Sequence, residues 1–260
     1  MLAYLREQLA ARRRRQWVSK LLVVGEGGVG KTSLLRALRG EPHIEGLETT
    51  HGIQIETLDL AHPTEADVTM QLKAWDFGGQ QIYRATHQFF LTNRSLFALV
   101  WNARHGYQQG KLYYWLDAIQ ARAPQSPVIL VAAHTDERDA DLPLSDLKAK
   151  YPQIVAHYAI SNPSGAGIED LRAALIESAA GLPLMGEVWP ADWLDAAEAL
   201  RASREKHIAF SQLERIFEER GVDSAGVRVL ARWLHELGDI LYFQDRAVQF
   251  SAHWYINGQD

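Results

Sequence analysis

The apolar and polar positions of this chain follow two rhythms, and the changes between them mark out its elements. Nearly continuous apolar runs at 21–24, 95–101 and 128–133 are of strand length and have no polar face, as in a parallel sheet covered on both sides. Residues 53–60 and 68–75 alternate instead, with His62-Pro63-Thr64-Glu65-Ala66-Asp67 between them. That predicts an antiparallel hairpin at the sheet edge. Helical spacing comes between the strands. Leu34, Leu35 and Leu38 share a face; so do Leu112, Trp115, Leu116 and Ile119 within 111–122, where Pro124 blocks continuation. Residues 154–160 read as a last strand and 168–180 as a closing helix, whereas 41–51 lack periodicity and read as a loop. At the start, Leu2, Leu5 and Leu9 followed by Arg12 to Arg15 predict a short amphipathic helix over 1–16 with a basic end. Such an arginine run is more often a solvated helix face than a lipid or RNA site.

Beyond residue 181 the pattern changes. Gly181, Pro183, Gly186 and Pro190 predict a linker over 182–190, and the remainder is mostly helical. Trp193, Ala197 and Leu200 suggest one helix. Ser211-Gln212-Leu213-Glu214 reads as a capping box opening a second, with Leu213, Ile216 and Phe217 buried. A third covers 225–237. Strands at 240–243 and 247–250 then pair across Gln244-Asp245-Arg246. Three helices plus a hairpin form a winged-helix pattern, which in other proteins often binds DNA. Residues 184–260 carry 8 Lys plus Arg against 13 Asp plus Glu, so charge favours a protein-interaction module with no nucleic acid.

Candidate chemistry sits at the strand ends. After the strand at 21–24, Gly25-Glu26-Gly27-Gly28-Val29-Gly30-Lys31-Thr32-Ser33 fills the pattern G-x-x-x-x-G-K-[ST] and runs into a helix. Glycines let backbone wrap around phosphates, and N–H groups at the helix start point at the anion. Lys31 would neutralise β- and γ-phosphates, and Thr32 would place its hydroxyl on Mg²⁺. Between the first helix and the next strand, Thr49-Thr50-His51-Gly52 offers a switch threonine. Thr50 is chosen from the T-x-G spacing, for its hydroxyl on Mg²⁺ and its backbone on the γ-phosphate.

The hairpin delivers Asp76-Phe77-Gly78-Gly79-Gln80 at a strand end. Here Asp76 would hold Mg²⁺ through a water, the Gly79 N–H would reach the γ-phosphate and Gln80 would orient the attacking water. Residues 81–91 read as a second switch helix; within it Arg84 is either an internal arginine finger or a surface charge. At the end of the strand at 128–133 comes His134-Thr135-Asp136. Asp136 can accept two hydrogen bonds from guanine N1 and N2. Ala133 and His134 stand where most GTPases have asparagine and lysine, so the imidazole would cover the base face while the asparagine's bracing bonds are lost. This predicts weaker nucleotide binding than in typical GTPases. Ser161 and Asn162 follow the last strand, in the loop that offers N–H groups to guanine O6.

Composition narrows the classes. The 260 residues include no cysteine, which rules out disulfides, thiolate zinc sites and cysteine nucleophiles. A net charge of -5 gives no general attraction to nucleic acid or anionic membrane. No apolar run approaches a membrane span and no signal-peptide core is present, so a cytoplasmic location is expected.

With GEGGVGKTSLL, TTHGI, WDFGGQQIYRATHQFFLT, ARAPQSPVILVAAHTDE and LGDILYFQD in hand, the chain resembles the Roco family, which joins a Ras-like Roc GTPase domain to a COR domain. The resemblance implies an α/β fold: a P-loop Ras-like GTPase domain with a mostly parallel sheet over 17–181, then the winged-helix-like, α+β N-terminal half of COR over 191–260. It implies GTP/GDP and Mg²⁺ as ligands, an intramolecular Roc-COR contact with Arg122 facing COR, and slow GTP hydrolysis read out as a switch. It also implies a leucine-rich-repeat region upstream. The COR C-terminal half, through which the family dimerises, is not complete by residue 260, so the chain reads as a fragment or truncated member and a homodimer of the family type is in question. Two other readings remain: a nucleotide-gated scaffold with negligible turnover, and a winged-helix regulator with a GTPase sensor.

Overall fold

A computed structural model describes residues 13–48, 50, 52–78, 91–203, 205, 207–243 and 247–250. In chain order the elements are β1 (Arg13–Arg15), β2 (Val18–Val24), α1 (Lys31–Leu38), β3 (Ile53–Ala61), β4 (Thr69–Phe77), β5 (Ser95–Asn102), α2 (Gly106–Gln109) and α3 (Leu112–Arg122). There follow β6 (Val128–Ala133), α4 (Leu144–Lys150), β7 (Ile154–Ala159), α5 (Ile168–Ala180), β8 (Val188–Pro190) and α6 (Ala191–Arg201). The last are β9 (His207–Ile208), α7 (Phe210–Glu218), α8 (Ser224–Leu237), β10 (Ile240–Phe243) and β11 (Ala247–Phe250).

Six strands form one sheet in the order β3-β4-β2-β5-β6-β7, parallel throughout except for the antiparallel β3–β4 pair at one edge. The central strands are apolar on both faces because both faces are covered. Leu21 and Val23 point into a core shared with Leu34, Leu35 and Leu38 of α1 and Leu171 and Leu175 of α5. Their neighbours Leu22 and Val24 point to the other side, against Leu112, Trp115, Leu116 and Ile119 of α3. Strand β2 lies between β4 and β5, so the chain turns to opposite sides of it. The crevice at its C-terminal end is where open α/β sheets bind ligands.

The second unit packs α6, α7 and α8 around a core that includes Leu213, Phe217, Leu230 and Leu234. Trp189, Trp193 and Trp233 form an aromatic triad there, with ring centroids 4.9 to 6.2 Å apart. The paired strands β10 and β11 are joined by β9, a third strand the sequence pattern did not announce.

Three expectations change. Residues 13–15, expected as the end of a helix, form β1 and pair antiparallel with β8, while 1–12 lie outside the described residues. The stretch expected as a linker is packed: Leu182, Leu184 and Trp189 are buried, and the Gln16 side chain accepts from Val18 N–H and donates to the Val18 and Leu184 carbonyls. Ser211 is not a cap. Helix α7 begins at Phe210 after Ala209 with no side-chain cap, whereas α8 is capped by Asp223, which accepts from Gly226 N–H at 2.6 Å. The hairpin, the loop before it and the helices at 168–180 and 225–237 lie where periodicity put them. Helices α2 and α4 were not expected. Among the described residues no helix is long and apolar enough to cross a membrane.

Candidate nucleotide site

The buried strand β2 ends at Val24, and Gly25 turns the chain back at φ 141°; a Cβ there would collide with the Val100 carbonyl of β5. The loop returns to α1, whose first turn has no side-chain cap, so its N–H groups face the crevice. Lys31 opens the helix and is buried, its Nζ donating to the carbonyls of Gly25 at 3.0 Å and Glu26 at 2.8 Å. Burial pulls its pKa down, opposed by Asp76 and Glu26.

Beside it, three oxygens converge from three elements. Thr32 Oγ1 of α1 donates to Asp76 Oδ2 at 2.6 Å and lies 2.8 Å from Thr50 Oγ1, which itself donates to Asp76 Oδ2 at 3.3 Å. Thr50 is positioned by the strand ends below it, where Gly78 N–H donates to the Gly52 carbonyl at 2.8 Å. Burial pushes the Asp76 carboxyl up, against the pull of Lys31 and the two threonine hydroxyls. Its other oxygen, Oδ1, is buried with no hydrogen-bond partner among the described residues. One carboxylate and two hydroxyls at a phosphate loop fit Mg²⁺, a hard cation that takes few protein ligands and fills its octahedron with water and phosphate oxygens. Thr32, Thr50 and Asp76 are therefore the residues that could hold it.

A cavity of about 480 Å³ opens in front, lined by Gly28, Gly30 to Ser33 and Thr50 at one end and by His134, Asn162 and Pro163 at the other. His134 sits at the end of β6 with φ 61°. Burial and the Arg104 charge lower its pKa, with Glu137 and Asp136 opposing, so the ring is a neutral, flat surface at neutral pH. Asp136 is exposed at the outer edge, and a hydrogen bond from Ser161 is the main cause holding its carboxyl low. Ser161 differs from expectation: its backbone N–H donates to the Ala166 carbonyl at 3.0 Å, and its side chain serves Asp136. The amide of Asn162 turns inward, Nδ2 donating to the Gly30 carbonyl at 3.3 Å.

The structure thus brings together residues 25–33, Thr50, Asp76, His134 and Asn162, with Thr135, Asp136 and Ser161 at the rim. Thr49, His51, Gly79, Gln80, Arg84 and the rest of the expected switch helix up to residue 90 lie outside the described residues. Two contributors escaped the sequence reading. Arg104 lines the cavity and pairs with Glu137 at 3.1 Å; its signal was its place just past a parallel strand's C-terminal end. The loop at 43–48 forms the opposite wall, and its exposed Ile44 and Leu47 carried no motif.

Comparison with known proteins now bears on this geometry. A family model described as Ras of Complex, Roc, domain of DAPkinase matches residues 20–136. The solved structure of Methanosarcina barkeri Roco2 RocCORdC bound to GDP superposes with a TM-score of 0.83 at 32% identity, covering 92% of this chain and 74% of that one. The probable serine/threonine-protein kinase pats1 of Dictyostelium discoideum is 30% identical over 259 residues, 86% of this chain but 8% of its own length. A Roc-COR-CHAT protease of an unknown prokaryotic organism is 27% identical over 86% of this chain and 23% of its own length. The chain thus spans about a tenth of the length of the pats1 kinase and of two further Dictyostelium relatives. The mostly parallel sheet, the phosphate loop and the helical unit behind it are those of a Roc domain followed by COR, and the chain belongs to the Roco family of P-loop GTPases.

Proposed function

We propose that this chain binds guanine nucleotide with Mg²⁺, slowly hydrolyses GTP to GDP, and relays its nucleotide state to the COR-like unit. The observation that carries the reading is the convergence of Thr32, Thr50 and Asp76 beside buried Lys31 at the end of a glycine-rich loop. The GDP bound to the Methanosarcina relative supports the choice of ligand.

In this reading the backbone of Gly25 to Ser33 and Gly79 cradles the phosphates, and Lys31 leaves its two loop carbonyls to meet the β- and γ-phosphates. Thr32, Thr50 and Asp76 would hold Mg²⁺, which when bound would supply charge neutralisation at the transferred phosphoryl group. Gln80 orients the attacking water. Asp136 selects guanine, His134 covers the base, and Thr135, Ser161 and Asn162 complete the base loops. With no arginine finger assigned, turnover should be slow, roughly 10⁻⁴ to 10⁻³ per second. The same reading puts the GTPase domain at 17–181 and the COR half at 191–260, with leucine-rich repeats upstream, the rest of COR downstream and dimerisation as properties of a longer protein.

A titration with fluorescent GDP, GTP and ADP in Mg²⁺, repeated on Lys31→Ala and Asp136→Ala, tests it. Guanine-selective binding that fails in both variants is expected; equal affinity for ADP would reduce the assignment to a generic phosphate-loop NTPase. Single-turnover hydrolysis then tests Gln80→Leu, which should slow turnover and leave GDP binding intact.

A further inference from the structure

Strand β6 ends in Ala133, a side chain with nothing to offer the phosphate loop, yet the loop is held at that point. The hold comes from the next strand along. Asn162, after β7, is 7% exposed, and its Nδ2 donates to the Gly30 carbonyl, which also accepts the Leu34 N–H at 2.9 Å as α1 begins. Three side chains close on Gly30 together. From the point a Cβ would occupy there, Asn162 Nδ2 is 3.0 Å away, His134 Nε2 3.7 Å and the Ala133 Cβ 3.9 Å. Ala133 therefore leaves a gap that a longer residue could fill, and Asn162 enters it from the adjacent loop.

The backbone fixes Asn162 in that position. Ile160 N–H donates to the Ala132 carbonyl at 2.8 Å and Thr135 N–H to the Ile160 carbonyl at 3.2 Å, tying the ends of β6 and β7 in register. Gly165 N–H closes the following turn onto the Ser161 carbonyl at 2.8 Å. Because the donor end of the amide is committed to Gly30, Oδ1 faces away; it is buried and has no hydrogen-bond partner among the described residues. An unsatisfied acceptor on a cavity wall is what a binding residue presents before its ligand arrives.

We infer that Asn162 is the positioning residue that locks the base loops to the phosphate loop, a relocated substitute for an asparagine at position 133. This rests on the nucleotide reading above. A brace of this kind holds the base subsite and the phosphate subsite at a fixed separation, so both ends of one nucleotide can be engaged at once; its loss appears as faster release.

The test uses the full chain, GDP as probe, and Asn162→Ala, Asn162→Asp and the double variant Asn162→Ala with Ala133→Asn. Asn162→Asp keeps the volume and turns an oxygen toward the Gly30 carbonyl. Both single variants should bind GDP about 10-fold or more weakly, through a faster off-rate, the loss expected for one buried hydrogen bond. The double variant should recover to within about 3-fold of wild type, because Ala133 already faces Gly30. A role in loop folding alone would not be rescued from a different strand. Unchanged affinity in Asn162→Asp, or no recovery in the double variant, overturns the brace while the nucleotide reading survives. Failure of the wild-type chain itself to bind GDP overturns both.

Discussion

Lys20 lies within β2 and Lys31 opens α1 of the same strand-loop-helix unit, and both are buried, but their surroundings differ in kind. Lys31 is 6% exposed, with two loop carbonyls on its ammonium, two carboxylates nearby and an open cavity in front. Lys20 is 1% exposed inside β2, beneath the end of α8 from the COR-like unit. Its ammonium lies 5.4 Å from the Trp75 ring, with Glu236 nearby, and its stem runs against Gly238. Burial lowers both pKa values, that of Lys20 to about 7 with Glu236 opposing. The nearby His235 is pulled down to about 4 by its own burial and by the Lys20 charge. The cost of burying Lys31 is one that an incoming phosphate can offset, whereas that of Lys20 is offset within the protein, by the Trp75 ring, by Glu236 and by the packing of one unit against the other. A buried charge facing a cavity marks a binding site; the same charge sealed by packing marks an interface.

The contrast breaks most directly if the two residues are exchanged for neutral ones. Lys31→Ala should weaken GDP binding about 100-fold or more, since it removes charge-assisted bonds to phosphate, while Lys20→Met should stay within about 3-fold. Parallel competition titrations decide this, and a matched loss in both would erase the distinction.

Gly238→Ala probes the sealed side. Gly238 lies at φ 84°, and a Cβ there would sit 2.6 Å from Trp75 Nε1 and 3.0 Å from Lys20 Cδ. The substitution should cost about 2 to 4 kcal/mol, read as a fall in the denaturant midpoint, because strain and overpacking add. An unshifted midpoint would mean the close approach is not maintained in solution.

The titration of Lys20 sharpens the comparison further. Its folded pKa is depressed from the ordinary 10.5 to about 7, so between those values the unfolded chain binds the proton and the native chain does not. Stability should therefore rise with pH over that window, at about 1 kcal/mol per pH unit, and Lys20→Met should flatten the slope. Denaturation at pH 7 and pH 9 measures both.

The open side responds to pH in the same direction, but in ligand affinity rather than in stability. Asp76 has its carboxyl pKa raised from 3.8, and Mg²⁺ would need it ionised, so the Mg²⁺-dependent part of nucleotide affinity should fade as pH drops, beginning above the usual carboxylate range. Titrations with Mg²⁺ and with EDTA at several pH values separate that part, and Asp76→Asn should abolish it. At the small end is Arg14→Ala. Its ion pair with Asp195 links β1 to α6 but is about half exposed on both partners, so stability should shift by no more than about 0.5 kcal/mol.

How much of this was legible beforehand follows from the range of the interactions. The phosphate loop could be read because its chemistry lies in consecutive residues: Gly25 for the turn, Lys31 and Thr32 for charge and cation. Asp76 was found by its place at a strand end, and the exposed edge of the β3–β4 hairpin by strict alternation. The helical register of α1 and α3 came from spacing alone. Asn162 was singled out for its loop, but that its side chain would turn onto Gly30 depended on β6 and β7 lying side by side.

Local patterning therefore determined the α/β order, the glycine-rich cradle and most of the polar groups around it, because periodicity and turn chemistry act between near neighbours. The tertiary structure decided what required distant partners. Arg13–Arg15 became a strand only because Val188–Pro190 lies beside it, and His207–Ile208 only because Ala247–Phe250 does. Lys20, just before the apolar run at 21–24, became a buried residue of β2 only because α8 covers it. Strand pairing and burial are properties of two segments at once, and no pattern within either one specifies the partner.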